Sequence, residues 1–306
     1  MTNLNKNSKK AFSLVEISIV ILIIGLLIAG ISKASDLIFD ANIASGRSIT
    51  KSAKVNRMPN LVLWLETTLA ESIKDSERGG TVTIWRDINP QSTTKFIFRN
   101  SGAPQYVEPG KNLPAIGSLT AANYFTVGTE ASTTVLPQKV NDIFTSANAT
   151  IFMVLKSPPS SVDATLFTFC PAAGCAAGTQ ISISLAGGKP TFIFPSATGV
   201  SATATTTADY FGTVPNVIIV SALKDSAGNK IAVNGASAVG TVTNVSTELP
   251  VAFETATFKI GGVGTATGVE IYEIIVFSSA LGDGDRQSVE AYLGKKYNTA
   301  VNKVTL

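Results

Sequence analysis

The feature that most constrains this chain is an apolar run close to its N-terminus. From Phe12 to Ile31 there are twenty residues, and Glu16 is the only charged one among them. A helix of this length rises about 30 Å, which matches the hydrocarbon core of a bilayer. The run therefore predicts a transmembrane helix over about residues 12–32.

A secretory signal peptide is the alternative that a run of this kind raises. The apolar region of such a peptide is usually about 7–15 residues long, and a small-residue cleavage site follows it. Here the run is longer, and the only small-residue candidate, Ala11, precedes it. We therefore expect the helix to stay in the chain as an anchor.

The basic residues around the span predict its orientation. Lys6, Lys9 and Lys10 precede it, whereas Lys33 alone follows within about 15 residues. Cytoplasmic flanks carry the excess of Lys and Arg, so this asymmetry favours a cytoplasmic N-terminus and an external C-terminal domain.

Glu16 is the unusual residue of the span. A carboxylate at membrane depth costs on the order of 3 kcal/mol unless it finds a partner. Two interpretations remain open from the residues alone. Glu16 either lies near the cytosolic interface and reaches the headgroups, or pairs with a positive charge on another subunit.

The segment around Glu16 resembles the cleavage and methylation motif of type IV prepilins and type II secretion pseudopilins. The resemblance covers about residues 6–31 and rests on a basic leader, a small residue, Phe and then Glu, in the run Lys9-Lys10-Ala11-Phe12-Ser13-Leu14-Val15-Glu16. Ala11 stands where Gly is usual, and the helix lacks the Pro common in major pilins.

This resemblance implies processing and assembly. Prepilin peptidase would cut between Ala11 and Phe12, and the new amine of Phe12 would be methylated. In the assembled fibre, the Glu16 carboxylate would neutralise the Phe12 ammonium of a neighbouring subunit. Two charges that are costly to leave alone in lipid would thereby select one staggered packing of helices.

The charge distribution argues against a nucleic-acid partner. The net charge is +3 and the sequence pI is about 8.8. However, residues 1–57 carry a net charge of +5 and the remainder carries −2, without a cluster of Lys and Arg. The chain has no histidine, which excludes His-dependent triads and His-ligated metal sites.

A stem follows the span over residues 33–57. Its apolar residues recur roughly at helical spacing, which predicts an amphipathic helix lying against other helices or the head: Leu37, Ile38, Ala41, Ile49 and Val55. Met58-Pro59-Asn60 is expected to end it, since proline disfavours a helical conformation in the preceding residue.

Residues 58–306 predict a β-rich head. Eleven short runs with strand character are separated by turn residues: 61–65, 81–85, 95–98, 123–127, 150–156, 165–169, 180–185, 191–194, 216–222, 230–233 and 269–277. Asn234-Gly235 predicts a tight type I′ hairpin. One helix is expected over 283–297, and Ser196–Ala208 predicts a mobile loop or weak edge strand.

The head also resembles the concanavalin A-like lectin/glucanase fold in its laminin G-like form, over about residues 60–298. The matching segments are 61–66, 84–87, 150–154, 258–262 and 270–293. The resemblance implies a mainly β fold, with an antiparallel two-sheet jelly-roll sandwich following the long transmembrane helix and a short helix at the C-terminal end. A fold does not fix a function.

Enzymatic activity is not expected. Glucanases of this fold use paired carboxylates, and the candidates here, Glu270 and Glu273, are three residues apart. On a regular strand they point to opposite faces, which prevents cooperation across the usual 5–9 Å. We expect them at solvated or edge positions.

Three further sets of residues in the head allow a structural or a functional interpretation. Outside the cytoplasm, Cys170 and Cys175 favour a disulfide across a short loop. Asp87 and Asn89 are weak calcium candidates, and the alternative is a turn capped by Asx side chains. Sugar stacking or core packing could occupy four aromatic residues, with core packing favoured: Trp64, Trp85, Tyr124 and Phe125.

Together these features predict a minor pilin or pseudopilin that displays a lectin-like head. Its expected partners are other pilin subunits, prepilin peptidase and the bacterial inner membrane, with the head periplasmic and later on a pilus, pseudopilus or cell surface. The alternative is an anchored adhesin whose head binds a glycan or a surface. The machine and the ligand remain open.

Overall fold

A computed structural model of the chain describes residues 13–93, 95–108, 113–128, 148–156, 163–170, 180–194, 202–207, 210, 217–237, 239–243, 257–264 and 269–303. A long helix, α1, occupies Leu14–Lys51. Two β-sheets follow, and a second helix, α2, occupies Asp283–Tyr297. The predicted mainly β architecture with a long N-terminal helix and a short C-terminal helix is confirmed.

The α-helix of the stem ends six residues before the predicted position. After Lys51 the chain forms a short 3₁₀ turn at Lys54–Arg57. The side-chain amide of Asn56 folds back and donates to the carbonyls of Thr50, Lys51 and Ala53 at 3.0–3.2 Å. These bonds add to the backbone bonds from Ala53 to Thr50 and from Asn56 to Ala53, and together they close the helix C-terminus before the proline is reached.

The first sheet, sheet A, is antiparallel and has the order β14-β13-β12-β7-β17-β5-β4, with β1 also pairing with β17. Its strands are β1 (Leu61–Glu66), β4 (Gln105–Val107), β5 (Ala115–Gly117), β7 (Ala149–Lys156), β12 (Val217–Asp225), β13 (Gly228–Val233), β14 (Ala236–Ser237) and β17 (Glu270–Phe277).

The second sheet, sheet B, is also antiparallel and has the order β15-β11-β10-β9-β8-β16-β6-β3-β2. Its strands are β2 (Ile84–Arg86), β3 (Ile97–Ser101), β6 (Tyr124–Gly128), β8 (Ala164–Cys170), β9 (Ile181–Ala186), β10 (Lys189–Phe194), β11 (Ala202–Thr206), β15 (Val239–Thr243) and β16 (Thr257–Gly264). The segment Ser196–Ala208 therefore includes a strand, β11, that pairs on both sides.

Two hydrophobic cores hold these layers together. Alternate residues of β7 belong to different cores: Met153 lies in the core between the sheets, and Phe152 lies in the core between sheet A and the helices. Since sheet A is covered on both faces, its central strands are continuous apolar runs, as strands buried on both faces usually are. This second core joins α1 and α2 to the head.

Tight turns set the register of two hairpins, one of them at the predicted position Asn234-Gly235. Asn234 and Gly235 have φ values of 51° and 73° between β13 and β14, as a type I′ turn requires. Gly187 and Gly188, at 56° and 80°, connect β9 to β10. In both turns residues that tolerate positive φ occupy the central positions.

Candidate functional site

Glu16, the charged residue of the apolar run, caps the N-terminus of α1. The Ser13 side chain accepts from the backbone N–H of Val15 at 3.3 Å, and Glu16 Oε2 accepts from the backbone N–H of Ser13 at 2.8 Å. This reciprocal pair is a capping box, which satisfies two backbone donors at a helix start. Ala11 and Phe12 lie outside the described residues, so the cleavage, methylation and Phe12–Glu16 pairing stay predictions.

The first half of α1 exposes its apolar side chains along its length. Its large apolar side chains are each about half exposed or more: Leu14, Val15, Ile17, Ile19, Val20, Ile21, Leu22, Ile23, Ile24, Leu26, Leu27, Ile28 and Ile31. Within the described residues, α1 is the one helix long and apolar enough to cross a membrane. Exposed apolar surface on this scale fits a lipid or helix environment.

The last three turns of α1 pack against the head. Ile43, Gly46 and Thr50 are buried and recur at helical spacing, whereas Leu37 and Ile38 are 69% and 58% exposed. The predicted amphipathic face thus divides: Leu37, Ile38 and Ala41 are exposed, whereas Ile49 and Val55 pack in the core between sheet A and the helices. At Gly46 a β-carbon would lie only 3.1 Å from a methyl group of Leu113, so glycine permits this close approach.

A group of ion pairs connects the side of the stem to the head. Arg47 Nη2 lies 2.7 Å from Asp75 Oδ1, and its Nε donates to the backbone oxygen of Thr68 at 2.6 Å. Arg78 contacts the same carboxylate at 3.1 Å and also Asp40 at 3.6 Å. Each exposed pair stabilises by at most about 1 kcal/mol, so this group orients the stem more than it holds it.

A buried polar cluster lies beneath the end of α1. Glu273 Oε1 accepts from Trp64 Nε1 at 2.6 Å and from the Tyr292 hydroxyl at 2.7 Å. Its Oε2 accepts from Lys296 Nζ and from the Tyr297 hydroxyl, both at 2.8 Å. The carboxylate is therefore satisfied by four donors, and a buried charge needs such partners.

Lys296 links two buried carboxylates. Its Nζ lies 2.9 Å from Glu66 Oε2, and the Thr68 hydroxyl donates to the same oxygen at 2.6 Å. Burial lowers the pKa of Lys296, but Glu273 and Glu66 outweigh it and leave the pKa above its ordinary value. Burial raises the pKa of Glu66, yet Lys296 and Thr68 leave it below its ordinary value. Lys296 and Glu66 therefore stay charged at neutral pH.

The cluster reaches the stem through one contact. The hydroxyls of Thr50 and Tyr292 lie 3.3 Å apart, and Thr50 also donates to the Gly46 carbonyl at 3.0 Å. Burial and then the Glu273 carboxylate raise the pKa of Tyr292 well above its ordinary value, so the phenol stays protonated. The end of α1, helix α2 and strands β1 and β17 thus share one network.

The expectations for Glu270 and Glu273 require correction. A bulge in β17 between Ile271 and Glu273 breaks the strict alternation of faces. Glu273 bonds to side chains of α2, and Glu270 accepts from Tyr272, whose ring packs on Tyr297 of the same helix. Both carboxylates therefore lie on the helix-covered face, and Glu273 is buried rather than solvated.

The calcium candidates are engaged with the backbone. Asp87 Oδ1 accepts from the backbone N–H groups of Trp64 and Asn89, both at 2.9 Å, and Asn89 Oδ1 accepts from Gln91 at 2.9 Å. Asp87 Oδ2 is buried and has no hydrogen-bond partner among the described residues. Calcium takes about six to eight oxygen ligands, so this donor set fits the alternative of Asx-capped turns better. Among the residues that the structure covers, no three acidic or cysteine side chains form a metal cluster.

Burial also raises the pKa of Asp87 to about 6, with hydrogen bonds from Asn89 and Trp64 and the charge of Lys95 opposing the increase. Lys95 donates to the backbone oxygen of Asn89. Lys95 and Asp87 line a pocket of about 300 Å³, together with Thr50 of the stem. The segment after β2 is therefore hydrogen-bonded to β1 through Asp87 and the backbone of Trp64.

The remaining candidates have mixed outcomes. Trp64, Trp85 and Phe125 are buried in the cores, which confirms core packing for them. Tyr124 is partly exposed and has Lys259 Nζ 5.2 Å from its ring centre. Cys175 lies outside the described residues, so its disulfide with Cys170 stays a prediction.

Sequence comparisons identify the N-terminal segment. Residues 6–32 match the family model of the prokaryotic N-terminal methylation motif. The match covers less than a tenth of the chain and says nothing of the head. No curated protein sequence matches the chain.

Solved structures resemble the head in fold. The receptor-binding domain of a botulinum neurotoxin C/D mosaic serotype has a TM-score of 0.53 at 13% identity, covering 78% of this chain and 52% of that one. The binding domain of botulinum neurotoxin DC in complex with SialylT has a TM-score of 0.51 at 12% identity, with the same coverages. This chain spans about half the length of these domains, and at such identities the likeness supports the fold alone.

Proposed function

We propose that this chain is a minor type IV pilin or pseudopilin subunit whose N-terminal helix enters a helical fibre and whose head is displayed outside it. The observation that carries the proposal is the continuity between the methylation motif and α1. Residues 14–32 of the motif form the N-terminal half of α1, whose large apolar side chains are exposed.

The attachment of the head favours a display role. The last turns of α1 are fixed to the head by the buried contacts of Gly46 and Thr50 and by the Arg47–Asp75 ion pair. The position of the helix in a fibre would therefore set the position of the β-sandwich. Processing by prepilin peptidase and insertion in the inner membrane follow from the same proposal.

Substitution of Glu16 tests the assembly role. Glu16→Ala removes both the charge and the capping interaction, whereas Glu16→Gln keeps an oxygen that can accept from Ser13 and removes only the charge. Both variants are expected to enter the membrane normally and to be lost from filaments in pull-down with other subunits. If Glu16→Gln assembles like wild type, the carboxylate acts through capping and the pairing mechanism is wrong.

A second proposed role, compatible with the first, is that the head binds carbohydrate. It is supported by the fold likeness to toxin receptor-binding domains, one of them in a complex with SialylT and another described as dependent on two ganglioside molecules for cell entry. A glycan array with the full chain in detergent, with and without calcium, tests this role. Absence of binding to any glycan would leave the head as a spacer or a protein-docking unit.

A further inference from the structure

A pocket of about 430 Å³ lies near the β4 edge of sheet A, where β5 ends and β17 begins. Its lining includes apolar residues, Val107 and Val269, together with the polar residues Ser118, Thr120, Asn123 and Glu270. We call it the β5–β17 pocket. Small-molecule sites typically combine apolar walls with a few convergent polar groups in a cleft of this size.

The carboxylate of the pocket is fixed in place. Lys156 Nζ donates to Glu270 Oε1 at 3.0 Å, and the Tyr272 hydroxyl donates to Oε2 at 3.0 Å. Each carboxylate oxygen has a second lone-pair direction, so two anchored oxygens can still accept from a ligand. The anchoring removes the cost of ordering this side chain on binding.

Donors lie in the same pocket. Thr120 Oγ1 accepts from the backbone N–H groups of Ala122 and Asn123, which leaves its own O–H to donate. Asn123 Oδ1 accepts from the backbone N–H of Ala103 at 3.0 Å, which leaves its NH₂ group. Fixed donors beside a fixed acceptor complement neighbouring hydroxyl groups, each of which both donates and accepts.

The backbone conformation of Ser118 independently indicates a ligand site in this pocket. Its φ is 57°, whereas the other non-glycine residues at positive φ in the described residues are all asparagines, Asn60, Asn234 and Asn298. Asparagine tolerates this region better than serine, and glycine tolerates it best. Ser118 is also exposed on the pocket, so the chain keeps a hydroxyl where another residue would be less strained. Such strain concentrates at ligand sites.

We propose that the β5–β17 pocket binds one neutral pyranose unit of a glycan. Glu270 accepts from a pair of sugar hydroxyls, Ser118, Thr120 and Asn123 donate to them, and the half-buried Val107 contacts the C–H face. The Glu270 carboxylate disfavours an acidic sugar. This inference rests on the proposed carbohydrate-binding role of the head and assigns that role a site and a ligand class.

Saturation-transfer NMR on the full chain in nanodiscs tests the site. The probes are the methyl glycosides of glucose, galactose, mannose and N-acetylglucosamine, with that of sialic acid for comparison. At least one neutral glycoside is expected to bind, and Ser118→Gly and Glu270→Gln are each expected to weaken it about tenfold, as loss of one hydrogen bond to a ligand does.

Ser118→Gly separates binding from folding. Because glycine adopts φ near 57° without strain, this variant is expected to unfold at the same or higher denaturant concentration while its affinity falls. Asn60→Gly, which makes the same backbone change at φ 62° away from the pocket, is the matched control and should leave affinity unchanged. Glu71→Gln, an exposed carboxylate elsewhere on the head, is the control for Glu270→Gln.

The outcomes distinguish the proposed pocket from the proposed carbohydrate-binding role of the head. If a neutral glycoside binds wild type, Ser118→Gly and Glu270→Gln equally, the pocket is not the site and the carbohydrate-binding role stands. If the sialic acid glycoside alone binds, the ligand class is wrong. If no glycoside binds wild type and the array is also negative, the carbohydrate-binding role itself fails.

Discussion

The ammonium of Lys296 lies 2.9 Å from Glu66 Oε2 and 2.8 Å from Glu273 Oε2, with all three side chains fully buried. Helix α2 thereby ties together β1 and β17, the two strands that support the end of the stem. A buried charge of this kind is tolerated only with satisfied partners, so removal of one member has a large effect.

Lys296→Met is therefore expected to destabilise the head by about 3–5 kcal/mol, because two buried carboxylates would lose their shared cation. Equilibrium unfolding of the full chain in detergent measures this loss. Lys295→Met alters an exposed neighbour on the same helical turn and should change stability by less than about 0.5 kcal/mol. Equal effects of the two substitutions would contradict the structural role assigned to Lys296.

Asp87 predicts a pH dependence of stability. Its pKa is about 6 in the folded chain, against an ordinary value of 3.8, because it is buried. The folded state thus binds the proton more tightly, and stability falls as pH rises from about 4 through 6, by about 3 kcal/mol in total. Asp87→Asn, which resembles the protonated form, should be more stable than wild type at pH 7 and similar to it near pH 4.

Denaturation of wild type and Asp87→Asn across this range isolates the contribution, since other titrating groups cancel in the difference. Glu71→Gln, at an exposed carboxylate lining the same pocket, should follow wild type at every pH. A constant difference between wild type and Asp87→Asn from pH 4 to 7 would exclude Asp87 as the source.

The missing side chain at Gly46 allows the stem to pack closely against the head, so a larger residue there should disturb this contact. Gly46→Val places methyl groups against Leu113 and Thr68, whose atoms already lie 3.1–3.4 Å from a β-carbon at this position. Overpacking of this kind costs about 1–3 kcal/mol, and we expect faster amide hydrogen exchange over residues 43–51. Ala44→Val, on the exposed side of the same turn, is the control. Similar exchange in both variants would mean that the close contact at Gly46 does not hold the stem.

The parts of the fold that follow local patterns could be predicted from the sequence. The sequence predicts helix α2 at 283–297, where it lies, because Val289, Tyr292 and Leu293 fall on one apolar face. Strand β7 was predicted to within one residue, because it is an uninterrupted apolar run. The short strands β4 and β5, three residues each, have too few residues to show an alternation and were not predicted.

The polar cluster could not be predicted, for a physical reason. Lys296 follows Lys295 in the last turn of α2, where basic residues ordinarily complement the helix dipole in solvent. Its burial depends on Glu66 and Glu273, which are 230 and 23 residues away along the chain. The bulge that turns Glu273 towards α2 is likewise set by pairing with β7 rather than by local sequence.

The central claim is that the segment before α1 is a prepilin leader joined to a helix that remains in the chain. Intact-mass and N-terminal peptide mass spectrometry of the chain produced together with a prepilin peptidase tests it most directly. We expect a mature chain that begins at Phe12 and carries a methyl group on its amine, with residues 1–11 removed. A chain that retains Met1, or one cut after the apolar run beyond Ile31, would contradict it.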